Sequence, residues 1–270
     1  MKKKVIYRKN KNLLAVLSGI FLCIAWIVPA LAEEKPLADF TVAALSQYVW
    51  RGQELSRDSL VIQPSMTMGY DGLSANLWGN LDTDPYIELP GDDGSKWNET
   101  DFTLSYGNGY GPWNIQGGYI YYGLEAIEDS QEVFLSLGYD TLLAPTLTIY
   151  RDFDSYEHWY FLFGLSHAIE LSETVSLELS GSVSYLKSED DEDYPEIHGA
   201  TPTDDRFEDF HDGVISVSLP IWVSNALTVT PSLSYTFPLS SKASDEMEWR
   251  SLDGDDDSFV YGGVTVSMGF

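Results

Sequence analysis

Val175-Ser-Leu-Glu-Leu-Ser-Gly-Ser-Val-Ser-Tyr185 alternates without a break. Val175, Leu177, Leu179, Gly181, Val183 and Tyr185 fall on one side, and Ser176, Glu178, Ser180, Ser182 and Ser184 on the other. Successive side chains of a strand point to opposite faces, so this segment is a strand with one apolar and one wet face. The 3.6-residue apolar period of a helix is absent from it.

The same reading extends outward in both directions. Leu227, Val229, Pro231, Leu233 and Tyr235 alternate with Thr228, Thr230, Ser232 and Ser234; Gly262, Val264, Val266, Met268 and Phe270 alternate with Gly263, Thr265, Ser267 and Gly269. Near the front, Leu73, Ala75, Leu77, Gly79 and Leu81 alternate with Ser74, Asn76, Trp78 and Asn80. Twelve strands are predicted: 40–50, 60–70, 73–81, 100–106, 113–122, 131–139, 143–150, 158–167, 175–185, 213–219, 226–237 and 258–270. Most approach the roughly 9–11 residues that a tilted membrane strand needs. The connections alternate between short turns, such as Asp71-Gly72, and longer segments, such as 82–99, 186–212 and 238–257. Short turns on one rim and long loops on the other are the pattern of a transmembrane barrel.

Charge follows the same division. The chain carries 42 acidic and 15 basic residues. Six of the basic residues stand at the front, as Lys2, Lys3, Lys4, Arg8, Lys9 and Lys11. An apolar stretch, Leu13 to Val28, and a small-residue site, Ala30-Leu31-Ala32, follow. This is the three-part pattern of a secretory signal, with cleavage expected between Ala32 and Glu33. Cys23, the one cysteine, lies inside it with Leu22 before it, which is not a lipoprotein arrangement. Without residues 1–32, nine basic residues face 42 acidic ones, a formal charge of −33. Such a charge repels phosphate backbones, and nucleic acid is excluded as a partner. Twenty-four of the acids fall in the three segments 82–99, 188–212 and 243–257. Carboxylates are costly in hydrocarbon, and these loops keep them in water.

The expected architecture is therefore all-β: an antiparallel transmembrane β-barrel of 12 strands, with short periplasmic turns and longer acidic outer loops. A leader at 1–32 precedes a single barrel domain at 33–270. An open sheet would expose unpaired backbone groups to lipid, so the strand near Phe40 should pair with the one ending at Phe270. The aromatic residues Tyr48 and Trp50, Tyr121 and Tyr122, and Trp159 to Phe161 are expected to form girdles at the membrane interfaces.

Two stretches carry a family resemblance. Tyr261-Gly-Gly-Val-Thr-Val-Ser-Met-Gly-Phe270 resembles the terminal signature of outer-membrane proteins, with Phe270 as the assembly signal. Ala43-Ala-Leu-Ser-Gln-Tyr-Val-Trp-Arg-Gly-Gln53, followed by 60–70 and 73–80, resembles the opening strands of the TorF-like family of outer-membrane porins of unknown substrate. The resemblance implies outer-membrane location and contact with its lipid and lipopolysaccharide. It also implies passage through periplasmic chaperones and the barrel-assembly machinery.

A diffusion pore for small polar solutes or ions is the expected function. Its lumen would be lined by Trp78, Glu178, Ser180, Ser182, Thr228, Thr230, Ser232, Thr265 and Ser267, with Trp78, Tyr150 and Glu178 narrowing it. Asp190, Asp191, Asp193, Asp253, Asp255, Asp256 and Asp257 would form an acidic outer mouth that favours cations. Arg51 is expected to pair with a loop carboxylate. A non-conducting structural or adhesive barrel is the competing reading. The runs 189–193 and 253–257 also suit Ca²⁺ in ligand type, without the spacing of an EF-hand loop. A hydrolase would have to use His211, between Asp209 and Asp212, or His158 beside Glu157. No Gly-x-Ser-x-Gly elbow, His-Glu-x-x-His site or phosphate loop is present, and neither enzymatic activity nor a cofactor is expected.

Overall fold

The computed structural model describes residues 36–57, 59–85, 94–252 and 254–270. The leader and its cleavage site, part of the first acidic loop at 86–93, and Asp253 of the acidic mouth lie outside the described residues.

Twelve antiparallel strands make one closed wall: β1 (Leu37–Leu45), β2 (Val61–Tyr70), β3 (Leu73–Asp82), β4 (Lys96–Tyr110), β5 (Trp113–Leu124), β6 (Ser130–Tyr139), β7 (Thr146–Asp152), β8 (His158–Ser172), β9 (Val175–Ser188), β10 (Glu208–Ser218), β11 (Leu227–Pro238) and β12 (Phe259–Gly269). Each pairs with its neighbour in the chain. The seam runs between β1 and β12, from Asp39 opposite Gly269 to Leu45 opposite Gly263. All twelve expected segments are strands. β1 ends at Leu45 rather than Trp50, and β10 begins at Glu208, five residues before its expected start. β7 starts at Thr146 because Ala144 turns the chain with φ 36°.

The turns on one rim are tight for local reasons. Tyr70 pairs directly with Leu73, and Asp71 and Gly72 both take positive φ (50° and 79°). That is the two-residue hairpin whose twist matches its strands. Gly111 and Pro112 join β4 to β5 as a second two-residue hairpin, with Tyr110 opposite Trp113 and only Gly111 at positive φ (62°).

The outer connections have structure of their own. A small hairpin, Val49–Trp50 with Gln53–Glu54, follows β1; another, Pro195–His198 with Thr201–Arg206, follows β9; and a helix, α1 (Ser241–Arg250), follows β11. The Ser240 side chain caps α1 by accepting from the Ala243 N–H, and Arg250 stands in its last turn, where a cation suits the helix dipole.

One face of the wall is apolar and uncovered. Met66, Leu77, Leu104, Leu135, Phe163 and Val266 belong to it, and all are exposed. The other face carries the hydrogen-bonded polar side chains, including Asn76 to Ser65 and Thr67, Ser136 with Thr148, and Ser216 with Ser234. The apolar face is the lipid face. Leu135→Arg, near the middle of β6, is expected to destabilise the folded barrel by about 2–4 kcal/mol in denaturant titrations from lipid bilayers, the depth-dependent cost of a cation against hydrocarbon. Ser180→Arg, on the opposite face of β9, is expected to cost much less; equal costs would reverse the assignment of faces.

Candidate functional site

The stretch Tyr48-Val-Trp-Arg-Gly-Gln53 turns back on itself. Trp50 lies opposite Gln53, and Arg51 and Gly52 form the turn with φ 47° and 76°. Arg51 therefore adopts a left-handed conformation that costs a non-glycine residue on the order of 1 kcal/mol. Its contacts hold it there. Arg51 Nη1 and Nη2 donate to Glu132 Oε1 and Oε2 at 2.6 and 2.9 Å. Nη1 also donates to His158 Nε2 at 3.1 Å, while His158 Nδ1 donates to the Tyr156 carbonyl. The guanidinium lies over the rings of Trp50, Tyr160 and Tyr150 at 4.4, 4.4 and 4.6 Å. Tyr122 donates to Glu132 Oε2 at 2.8 Å. Burial disfavours the charge on Arg51, but Glu132 more than restores it, so the guanidinium stays protonated.

On its other side the hairpin touches a second cluster. A Cβ added to Gly52 would lie 3.1 Å from Asp212 Cβ, His211 Cε1 and Met247 Sδ. Contact with β5–β8 through Arg51 and with β10 and α1 through Gly52 places the hairpin inside the barrel. His211 Nδ1 meets Asp212 Oδ1 at 3.0 Å and Nε2 meets Glu246 Oε2 at 2.9 Å. Carboxylates accept, so both ring nitrogens donate. Asp212 Oδ1 also accepts from Ser184 (2.7 Å) and Tyr160 (2.8 Å). Arg250 donates to Glu246 and to the Asp193 carbonyl. Tyr160, Leu186, Tyr194, Phe207 and Ala243 form a small buried core around these ion pairs.

The boundary of this plug can be followed along β9. Ser180 on the polar face is exposed, while Ser184, Leu186 and Ser188 on the same face are buried. The middle of the interior is thus a hydroxyl-lined cup around Ser180 and Ser182, Ser176 nearer the periplasmic rim is buried again, and the outer half is filled.

The expected lining residues distribute accordingly. Ser180 and Ser182 on β9, Thr228, Thr230 and Ser232 on β11, and Thr265 and Ser267 on β12 share the polar face of neighbouring strands, with Thr230 opposite Thr265 and Thr228 opposite Ser267. Glu178 is exposed and accepts from Ser218 at 3.2 Å. Trp78 packs against Tyr48 at 5.7 Å between ring centroids. Of the acidic mouth, Asp255 and Asp256 are exposed. Asp190, Asp191 and Asp193 are half-buried; the Asp190 carbonyl accepts from Tyr194 N–H, and Asp257 accepts from Ser244. Phe270 is exposed, its N–H bonded to the Ala38 carbonyl.

Two expectations are corrected. Arg51 pairs with Glu132 on a barrel strand, not with a loop carboxylate, because the hairpin turns inward. Tyr48, Trp50, Tyr122 and Tyr160 are interior groups around that hairpin, not girdle residues; alternation along a strand leaves Tyr121 outside when Tyr122 is inside. His211 and His158 have both nitrogens engaged and are almost fully buried, so neither is placed as a free base. The plug residues Glu132 and Glu246 were missed. The available signal was Glu132 itself, a carboxylate on the body of a strand.

No family model matches the chain, and no curated protein matches it in sequence. Among solved structures it is similar to the NanC porin, with 11% identity, a TM-score of 0.54, and 86% of this chain and 98% of NanC covered. Lower-scoring likenesses are to an outer membrane channel from Pseudomonas putida F1 (10% identity, TM-score 0.45, 87% and 94% covered) and to LpxR from Salmonella typhimurium (8%, 0.46, 87% and 99%). The likeness to NanC is one of fold: this chain is a closed 12-strand barrel of the outer-membrane type.

Burial alone would raise the Glu246 carboxyl, but Arg250 and His211 hold it below its ordinary value of 4.5. Its contribution to docking α1 is therefore complete above about pH 4.5 and is lost as the pH falls below that value. Protease cleavage within 241–250 is expected to be slow at neutral pH and to accelerate under acid; Glu246→Gln should show the fast rate already at pH 7. Leaving His211 and Arg250 without that partner should cost about 3–5 kcal/mol.

Proposed function

We propose that the protein is an outer-membrane channel for small polar solutes, with its constriction at the Arg51–Glu132 layer and a preference for cations at its mouth. The observation that carries the reading is the junction of two unlike parts: a cup lined by half-buried Ser and Thr side chains, with Ser180 exposed, below, and cavities above, meeting at an inserted hairpin. The residues that form this hairpin, Tyr48, Trp50, Arg51 and Gly52, are those that carry the resemblance to TorF-like porins, and the reading includes that assignment. Export with loss of residues 1–32, and recognition of Phe270 by the assembly machinery, belong to the same proposal. So does the absence of enzymatic activity, supported by the engaged nitrogens of His158 and His211.

The cation preference follows from charge placement. Arg51 is matched by Glu132 within the layer, so its charge is balanced there, whereas Asp255 and Asp256 stand exposed outside. Fixed charge at a mouth concentrates the opposite ion.

A non-conducting barrel has its own support in the buried core of Tyr160, Leu186, Tyr194 and Phe207. Planar-bilayer recording separates the two. The wild-type barrel is expected to give small unitary currents, with a reversal potential under a salt gradient on the cation-selective side. Arg51→Ala combined with Glu132→Gln should enlarge the unitary conductance severalfold. Silence from both proteins would favour the non-conducting barrel, and an anion-selective reversal potential would refute the stated preference.

A further inference from the structure

Above the Arg51 layer lies a cavity of about 320 Å³. Trp50, Tyr122, Tyr156 and Tyr194 contribute aromatic walls, and Glu99 and Asp152 contribute carboxyls. A second cavity of about 370 Å³, lined also by Pro85 and Ala126, shares Gln53, Leu55 and Glu99 with it.

The charges around the cavity do not balance. Arg51 is taken by Glu132, and Arg250, which also lines the cavity, is taken by Glu246. Glu99 and Asp152 are served by neutral donors. Asp152 accepts from Ser130 Oγ at 2.5 Å and from the N–H groups of Asp154 and Tyr156 at 3.0 and 3.4 Å. Glu99 is hydrogen-bonded by the Tyr48 hydroxyl. Among the described residues no ion pair within 4.0 Å reaches either carboxyl. Two positions beyond Glu99 on β4, Asp101 holds a buried oxygen with no hydrogen-bond partner.

Carboxylates removed from water without a counter-charge are costly, and a bound cation recovers that cost. The walls restrict which cation. Aromatic faces attract a desolvated ammonium through the ring quadrupole. A small inorganic ion keeps its water and gains little from them. Anions meet two carboxylates, and a neutral solute leaves both unmatched. The volume lies at the lower end of the roughly 300–1,000 Å³ found for small-molecule sites.

We propose that this cavity binds a small organic cation, with its ammonium group between the aromatic walls and the carboxylates of Glu99 and Asp152. The inference deepens the channel reading and rests on it for its role, as a stopping place for a permeating solute; occupancy itself needs no conduction.

Isothermal titration of the detergent-solubilised full barrel with choline chloride tests the site directly. Choline is expected to bind saturably at one site. Its uncharged isostere, 3,3-dimethylbutan-1-ol, is expected to bind about tenfold more weakly or worse. Glu99→Gln and Asp152→Asn should each weaken choline about tenfold and leave the isostere unchanged, in protein whose heat-modifiable gel migration shows a folded barrel. Equal affinity for choline and the isostere, or no saturable choline binding, would overturn the proposal with the wild-type protein alone. Choline binding in a barrel that passes no current would refute the channel and keep the site; current without choline binding would do the reverse.

Discussion

Hydrocarbon offers no hydrogen bonds, so each peptide group in the wall must find its partner in another strand. That demand explains why the sheet closes. β1 has β2 on one side and β12 on the other, and among the described residues none of the twelve wall strands is left with an unpaired edge. The closure is tight at Gly263, where a Cβ would come within 1.9 Å of the Ala44 carbonyl oxygen. A side chain at that point would part the seam, which makes a residue with no side chain the one that fits.

Closure then creates a second demand. An interior bounded by twelve strands cannot be filled from the wall alone, because much of the inward face consists of small Ser, Thr and Gly residues. Chain from the outer loops enters instead, and with it come charges that have left bulk water. Each is met on arrival: Arg51 by Glu132, Arg250 by Glu246, and His211 by Asp212 and Glu246. Buried pairs of this kind need not add stability over an apolar filling. What they fix is position. An arginine held by three hydrogen bonds and between aromatic rings leaves the hairpin one way to sit.

The wall was legible because its code is local. Alternation in 175–185, 227–235 and 262–270 reports two environments at once, and all twelve expected strands are present. The seating of the loops was not legible, because it depends on pairs distant in sequence. Tyr48 and Trp50 have the composition of an interfacial girdle and differ from one only in that their chain folds inward. α1 has weak apolar periodicity; its Ser240 cap and its run of helix-forming residues were present, but its charged residues read equally as a solvated loop. Glu246 was counted among the acids of that loop, and only the fold brings it to His211. The polar faces of β9, β11 and β12 were readable, whereas the filling of their outer ends came from outside those strands.

The separation of Arg51 from its partners has a consequence for the order of biogenesis. Glu132 lies 81 residues and His158 107 residues further along the chain. Gly52 also rests against residues near 211 and 247. The hairpin emerges early but has nowhere to settle until most of the wall stands around it. Contacts between such distant residues form late, after the entropy of bringing them together has been overcome. A barrel with missing or misregistered staves would therefore leave the first loop without its latch.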